Sequence, residues 1–99
     1  MSGPQRSSAG LDERRRKVLY RSWHRGIREM DLIMGQFADA QIAALTDADL
    51  DLYEALIEVP DRDLFAWLTG AESTPDNYDT PVFRRLQVFH THLGPVHAA

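Results

Sequence analysis

Apolar side chains recur along this chain at intervals of three and four residues, the spacing that places them on one face of an α-helix. No stretch alternates apolar and polar residues between hairpin turns, so the sequence predicts no β-strand. The pattern predicts five helices, at residues 11–23, from about 27 towards 45, 46–58, 61–69 and 81–92. The predicted fold class is all-α, a compact five-helix bundle in a single domain over residues 11–93. We expect a disordered N-terminal tail at 1–10 and a loose C-terminal tail at 94–99.

The residues expected to face the core are large aliphatic and aromatic side chains. They are Leu11, Val18, Leu19, Trp23, Ile27, Met30, Ile33, Met34, Phe37, Ile42, Leu45, Leu50, Tyr53, Leu56, Ile57, Leu64, Phe65, Leu68, Val82, Leu86, Phe89 and Leu93. Gly35 interrupts the second helix and has two interpretations: it ends the helix early, or it lets a neighbouring helix approach closely. Trp67 lies beside the apolar stripe of the fourth helix, and its role also has two interpretations. It packs in the core, or it is half exposed and contacts a partner.

Residue types at the predicted helix ends support these boundaries. Thr46, followed three residues later by an aspartate, has the pattern of a capping box, in which each side chain binds the other residue's backbone N–H. Gly70 is at the position where a left-handed residue commonly ends a helix. Pro81 after Thr80 fits the start of the last helix, and residues 71–79 before it are predicted to form a polar loop.

Charge is distributed unevenly along the 99 residues, whose formal net charge is −4. Residues 1–28 carry a net charge of +6, and residues 29–99 carry −10. A basic first helix can bind phosphates, so a small helical nucleic-acid-binding regulator is an alternative function. The acidic remainder would repel phosphate, and a solvated face is the commoner role of such a basic run. The carboxylates of the third helix are likewise expected to form a solvated face, at Asp47, Asp51, Glu54 and Glu58.

Composition excludes several classes of protein. There is no cysteine, which excludes disulfides, zinc–thiolate sites and thiol catalysis and fits a reducing compartment. No apolar run approaches the roughly 20 residues of a membrane span, and the start of the chain lacks the apolar segment of a signal peptide. We therefore expect a bacterial cytoplasmic protein without direct membrane insertion.

Residues suited to catalysis are scarce. Neither sequence neighbour of His24 is a serine, cysteine or carboxylate with which it could form a triad. His90 and His92 are two residues apart, so on a helix they point to different faces and make poor joint metal ligands. The glycine-rich loops that bind nucleotide phosphates are also missing. We therefore expect neither an enzyme nor a metal site.

The stretch Arg25-Gly26-Ile27-Arg28-Glu29 separates the first and second predicted helices. It is too polar for a core, and Gly26 permits a sharp turn or the close approach of another molecule. One interpretation is a surface turn that contacts a partner. In the other, Gly26 ends the first helix and Glu29 lies favourably in the first turn of the next.

This stretch resembles the hallmark Arg-Gly-x-x-Glu of the small flavinylation factors for succinate dehydrogenase, called SdhE in bacteria and succinate dehydrogenase assembly factor 2 in mitochondria. A second block at residues 61–68, Asp-Arg-Asp-Leu-Phe-Ala-Trp-Leu, is similar to the family's Asp-x-Asp-Leu-Phe-x-Trp-Leu. The resemblance covers residues 14–89, and the two blocks in this order and spacing are more specific than the first block alone. Residues 1–13 extend beyond the family's usual start, and Met30 replaces a common leucine.

The resemblance implies a five-helix assembly factor and not a redox enzyme. Such a factor binds the flavoprotein subunit of succinate dehydrogenase, and in bacteria also that of fumarate reductase. It promotes the covalent attachment of FAD to a histidine of that subunit. The chain is therefore expected to bind no cofactor stably, to act on the FAD of its partner, and to have no nucleic acid as a partner.

The residues that the resemblance places at the partner interface are Arg25, Gly26 and Glu29, and we extend this surface to Arg28, Asp31, Arg21 and Trp67. Gly26 would let the backbone of the turn lie against the partner. Arg25 would offer its planar guanidinium to a carboxylate or phosphate across the interface. Glu29 would either hold Arg25 in place or stabilise the first turn of the second helix.

Overall fold

The structure, a computed structural model, describes the backbone of residues 10–93 and the side chains of residues 10–90. This part of the chain contains five α-helices, a short 3-10 turn at Asp76–Tyr78 and no β-strand. The helices are α1 (Glu13–Trp23), α2 (Arg28–Gln41), α3 (Asp47–Ile57), α4 (Asp61–Thr69) and α5 (Pro81–Leu93). The predicted all-α class with five helices is confirmed. The predicted tails, apart from Gly10, lie outside the described residues.

Capping residues lie at the start of α3 and the end of α4, as the sequence predicts. Thr46 Oγ1 accepts the backbone N–H of Asp49 at 3.1 Å, and the Asp49 carboxylate reaches back to the Thr46 N–H. Gly70 ends α4 in the left-handed conformation at φ 80°. α1 begins two residues later than predicted, because Asp12 before it has an extended backbone with φ −69° and ψ 166°.

The core lies where the apolar stripes of the five helices meet. Of the predicted core residues whose side chains are described, all but three are at most 6% exposed. Ile27 is an error of the prediction, since it is 42% exposed, and Phe65 and Phe89 are only partly buried. Phe83, which the prediction omitted, is 1% exposed. No helix within residues 10–93 is both long and apolar enough to cross a membrane.

Gly35 allows α1 and α2 to pack closely. A Cβ on this glycine would lie 2.3 Å from Cδ2 of Trp23, well inside van der Waals contact. The Trp23 indole therefore lies flat against the backbone of α2, and its Nε1–H donates to Asp39 Oδ1 at 3.1 Å. Since α2 continues past Gly35 to Gln41, the close-approach interpretation is confirmed and the early helix end is wrong.

One polar network lies inside the core and joins the first three helices. Ser22 Oγ donates to the Val18 carbonyl at 2.8 Å and lies 2.7 Å from the Tyr53 hydroxyl. That hydroxyl also lies 3.2 Å from the Met34 carbonyl oxygen, so its one proton is shared between Ser22 Oγ and this carbonyl. Burial raises the pKa of Tyr53 above its ordinary value, so the hydroxyl keeps its proton and remains a donor. The network satisfies polar groups that would otherwise be costly to bury.

Candidate functional site

The turn between α1 and α2 is held by Arg25, whose side chain points into the molecule and is only 7% exposed. Nε donates to Asp61 Oδ1 at 2.6 Å, while Nη1 and Nη2 donate to the backbone carbonyls of Ile57 and Val59. These carbonyls lie at and just beyond the end of α3, where unpaired backbone oxygens favour a cation. The interpretation that this stretch is too polar for burial is therefore wrong for Arg25. The Arg25 guanidinium group is bonded within the chain, and its contact with a partner stays a prediction.

Asp61 joins the same turn to the start of α4. Its carboxylate is 15% exposed, and one oxygen accepts Arg25 Nε. The other oxygen accepts the backbone N–H groups of Gly26 at 2.6 Å and Ile27 at 3.2 Å. As the first residue of α4, Asp61 also lies where the helix macrodipole favours a negative charge. These two side chains, which we call the Arg25–Asp61 cluster, fix the turn against both α3 and α4.

Asp31 and Gly26 complete the geometry of the turn. Asp31 Oδ1 accepts the backbone N–H of Arg25 at 2.5 Å, so a carboxylate in the first turn of α2 reaches back over the connection. Gly26 is exposed, yet a Cβ on it would lie 2.9 Å from Asp61 Oδ2. The glycine thus leaves room for a carboxylate of its own chain. The expected approach of a partner to the Gly26 backbone stays a prediction.

Arg28 and Glu29 are charged side chains of this turn whose binding to a partner stays a prediction. Arg28 is exposed and Glu29 is partly exposed. Neither forms a hydrogen bond or ion pair with any other residue whose side chain the structure describes. Asp61, and not Glu29, holds Arg25, so that alternative for Glu29 is wrong. Its place in the first turn of α2 is confirmed.

Of the other two predicted partner-binding residues, Arg21 lines a surface groove that also includes Gly26 of the turn, and Trp67 is not among the residues that line it. Arg21 on α1 is 48% exposed and donates to Glu58 Oε2 at 2.7 Å. Trp67 is 9% exposed, and its ring centroid lies 5.2 Å from that of Tyr78. Of the two interpretations of Trp67, core packing is confirmed and half exposure is wrong, because the 3-10 turn after α4 supplies a tyrosine that covers it.

Asp61 is a residue of this site whose role was not predicted from the sequence. A signal for it was present, because it opens the second block of the family resemblance and follows Pro60 at a helix start. What the pattern could not indicate is that its carboxylate turns back to the α1–α2 connection, 35 residues away in sequence. That contact depends on how α3 and α4 pack, which local periodicity does not determine.

The side chains around the turn are suited to binding. His24 stacks its ring on that of Tyr20, with centroids 3.9 Å apart, and its Nδ1 bonds to the Tyr20 carbonyl oxygen. Among residues 10–90, no three histidine, aspartate or glutamate side chains are grouped so as to hold a metal ion. Charged side chains and a stacked aromatic pair thus lie together at and beside the turn.

The basic side chains of α1 are engaged within the chain. Arg14 donates to Asp51 at 2.6 Å and to both oxygens of Glu54 at 2.7 and 3.1 Å. Arg15 donates to backbone carbonyls after α2, and Lys17 lies 3.1 Å from a carboxylate one turn earlier. The carboxylate face of α3 is therefore not simply solvated, as was expected, but pairs with α1. The carboxylates paired with Arg14 and Lys17 offset part of the positive charge of α1, which makes this helix less suited to binding phosphates.

We expect the Arg14–Glu54 pair to contribute to acid sensitivity. The hydrogen bond from Arg14 lowers the pKa of Glu54 below its ordinary 4.5. Because the folded-state pKa is the lower one, the stabilisation is present above about pH 4.5 and is lost as the pH falls through the folded value. Thermal unfolding followed by circular dichroism from neutral to acidic pH should show a smaller acid-induced fall in Tm for Arg14→Gln than for the wild type. Equal falls would contradict the pair's contribution.

Comparison with known proteins gives a consistent set of relatives. Residues 16–90 match the family described as the flavinator of succinate dehydrogenase. The mitochondrial succinate dehydrogenase assembly factor 2 of Dictyostelium discoideum is 36% identical over 77 residues, which are 78% of this chain and 55% of that protein. The FAD assembly factor SdhE of Acetobacter pasteurianus is 37% identical over 76 residues, 77% of this chain and 70% of that protein. The mitochondrial assembly factor 2 of Debaryomyces hansenii is 35% identical over 79 residues, 79% of this chain and 51% of that protein.

The family match includes the whole of the candidate site. Residues 16–90 contain the α1–α2 turn, the end of α3 and the start of α4, and thus both members of the Arg25–Asp61 cluster. The chain spans about half the length of the two mitochondrial relatives and 70% of the bacterial one. The resemblance identified from the two sequence blocks is confirmed, and this chain belongs to the family described as the flavinator of succinate dehydrogenase.

Proposed function

We propose that this chain binds the flavoprotein subunit of succinate dehydrogenase and promotes the covalent attachment of FAD to a histidine of that subunit. The observation that supports this most directly is the family match across residues 16–90, which contains the α1–α2 turn. The relatives named above are assembly factors for succinate dehydrogenase or for FAD. The geometry of the turn is consistent with the role, because Arg28 and Glu29 carry charges that no described residue neutralises.

In this proposal the chain acts by binding and not by catalysis. Docking of the α1–α2 turn orders the flavoprotein subunit around its non-covalent FAD. The acceptor histidine and the flavin then lie in a reactive geometry, and the partner performs its own chemistry. The chain itself holds no FAD stably. Its predicted setting is the bacterial cytoplasm, where the flavoprotein subunit of fumarate reductase is a second partner.

The direct test is covalent flavin fluorescence after denaturing electrophoresis. The flavoprotein subunit of succinate dehydrogenase from the host of this chain is produced without the chain and then incubated with FAD, with or without the purified chain. A fluorescent band that depends on the chain supports the proposal, and the fumarate reductase subunit is tested in the same way. Equal bands with and without the chain would overturn the assembly function. Visible flavin absorbance of the chain purified alone would contradict the absence of bound FAD.

Glu29→Gln is expected to lower the yield of covalent flavin about tenfold while the free energy of unfolding changes by less than about 1 kcal/mol. The substitution removes a negative charge that has no partner in the described part of the chain and keeps the shape of the side chain. Glu72→Gln is the matched control, since Glu72 is an exposed carboxylate just beyond the opposite end of α4 from Asp61. Full flavin yield with Glu29→Gln would remove Glu29 from the contact surface.

A further inference from the structure

The exposed apolar side chains of this protein concentrate beside the Arg25–Asp61 cluster. Among the described residues three large hydrophobic side chains are exposed: Tyr20 at 60%, Ile27 at 42% and Val88 at 66%. Two of them flank the α1–α2 turn, whereas Val88 lies on α5. The Tyr20 ring is held in place, because it stacks on His24 with an angle of 15° between the ring planes.

These rings form one wall of an open groove. The groove has a volume of about 340 Å³ and runs between the end of α1 and the α3–α4 connection. The lining includes the aromatic rings of Tyr20 and His24 and the Arg25–Asp61 cluster, together with Val59 and Pro60. Stacked aromatic rings held in place lose little conformational entropy when they receive another side chain, which is why tyrosine is enriched at interfaces.

The charges around the groove favour an uncharged occupant. Arg25 is paired with Asp61, and Arg21 on the rim is paired with Glu58 at 2.7 Å. Both guanidinium groups that line the groove are thus neutralised by carboxylates of the same chain. Arg25 is also bonded to two backbone carbonyls, and Glu58 offsets the charge of Arg21, so an anion gains little net attraction here, whereas an apolar or aromatic side chain needs no counter-charge.

We propose that this groove receives an apolar or aromatic side chain from a surface loop of the flavoprotein subunit, stacked on the Tyr20–His24 pair. The proposal rests on the proposed function and extends its contact surface. The groove is continuous with the turn that carries Arg28 and Glu29, so one partner surface reaches both. The partner then pairs its charges with Arg28 and Glu29 and inserts its apolar side chain beside them, the usual arrangement of an apolar anchor within a polar rim.

The test measures the Kd of the purified flavoprotein subunit for variants of the full chain by isothermal titration calorimetry. Tyr20→Ala is expected to weaken binding roughly tenfold or more, and His24→Ala, which removes the supporting ring, to weaken it as well. Tyr20→Phe keeps the stacked ring and should bind like the wild type, as should Val88→Ala, the exposed hydrophobic residue on α5. The Tm of Tyr20→Ala should stay near that of the wild type, because the ring is mostly exposed.

The outcomes separate this proposal from the proposed function. Wild-type binding together with unchanged binding by Tyr20→Ala and His24→Ala overturns the groove and leaves the assembly function standing. If Tyr20→Phe weakens binding as much as Tyr20→Ala does, ring stacking is not the basis of the contact. If the wild-type chain itself does not bind the flavoprotein subunit, the proposed function fails and the groove proposal with it.

Discussion

Replacing Gly35 with alanine is expected to lower the free energy of unfolding by about 3 kcal/mol, at the upper end of the usual cost of overpacking a core. The new Cβ would lie 2.3 to 2.6 Å from three atoms of the Trp23 ring. The ring cannot move away easily, since it is 2% exposed and its Nε1–H is bonded to Asp39. The corresponding fall in Tm is roughly 12–24 °C for a domain of this size.

The sign of this effect makes the experiment decisive. In a helix, alanine is intrinsically more favourable than glycine by about 1 kcal/mol, so without the Trp23 contact Gly35→Ala would raise stability. Ala40→Gly, at an exposed position of the same helix, measures that propensity in this protein and should cost about 1 kcal/mol. Urea unfolding of both variants followed by circular dichroism gives the comparison. A stabilised Gly35→Ala would show that α1 and α2 do not pack through this glycine.

Features of this fold that depend on local sequence could be predicted. Gly35 shows where such prediction ends. The five helices and the caps at Thr46 and Gly70 follow from residues close together in the chain. The pattern also offered a close approach at Gly35. It could not name Trp23 as the neighbour, because that choice depends on how α1 crosses α2.

The same limit explains the errors at the candidate site. Polarity placed Arg25 on the surface, but the α3–α4 connection supplies one carboxylate and two backbone carbonyls that make its burial favourable. Trp67 was left undecided because its cover, Tyr78, comes from a loop whose composition is mostly polar. Sequence could identify the residues of the turn by resemblance, yet which of them face inward depends on contacts between distant segments.

The inward position of Arg25 changes what its variants should reveal. If Arg25 acts by direct contact with the partner, removing Asp61 would free its guanidinium and leave activity intact or raise it. If it acts by fixing the turn, loss of either member of the cluster should misplace Arg28 and Glu29 equally. The structure favours the second case, since both Arg25 and Asp61 are largely buried and bonded to each other.

Asp61→Asn and Arg25→Met are therefore each expected to lower the free energy of unfolding by about 3–5 kcal/mol, because each leaves a buried charge without its partner. Each should also lower the yield of covalent flavin at least about tenfold at a temperature where urea unfolding shows the variant to be folded. The free energy of unfolding of the double variant should fall by less than the sum of the two single-variant losses, because neither buried charge then remains without its partner. Asp63→Asn, two residues along at an exposed position of α4, is the matched control and should behave like the wild type. Wild-type flavin yield with Asp61→Asn and loss with Arg25→Met would instead assign Arg25 to the partner interface itself.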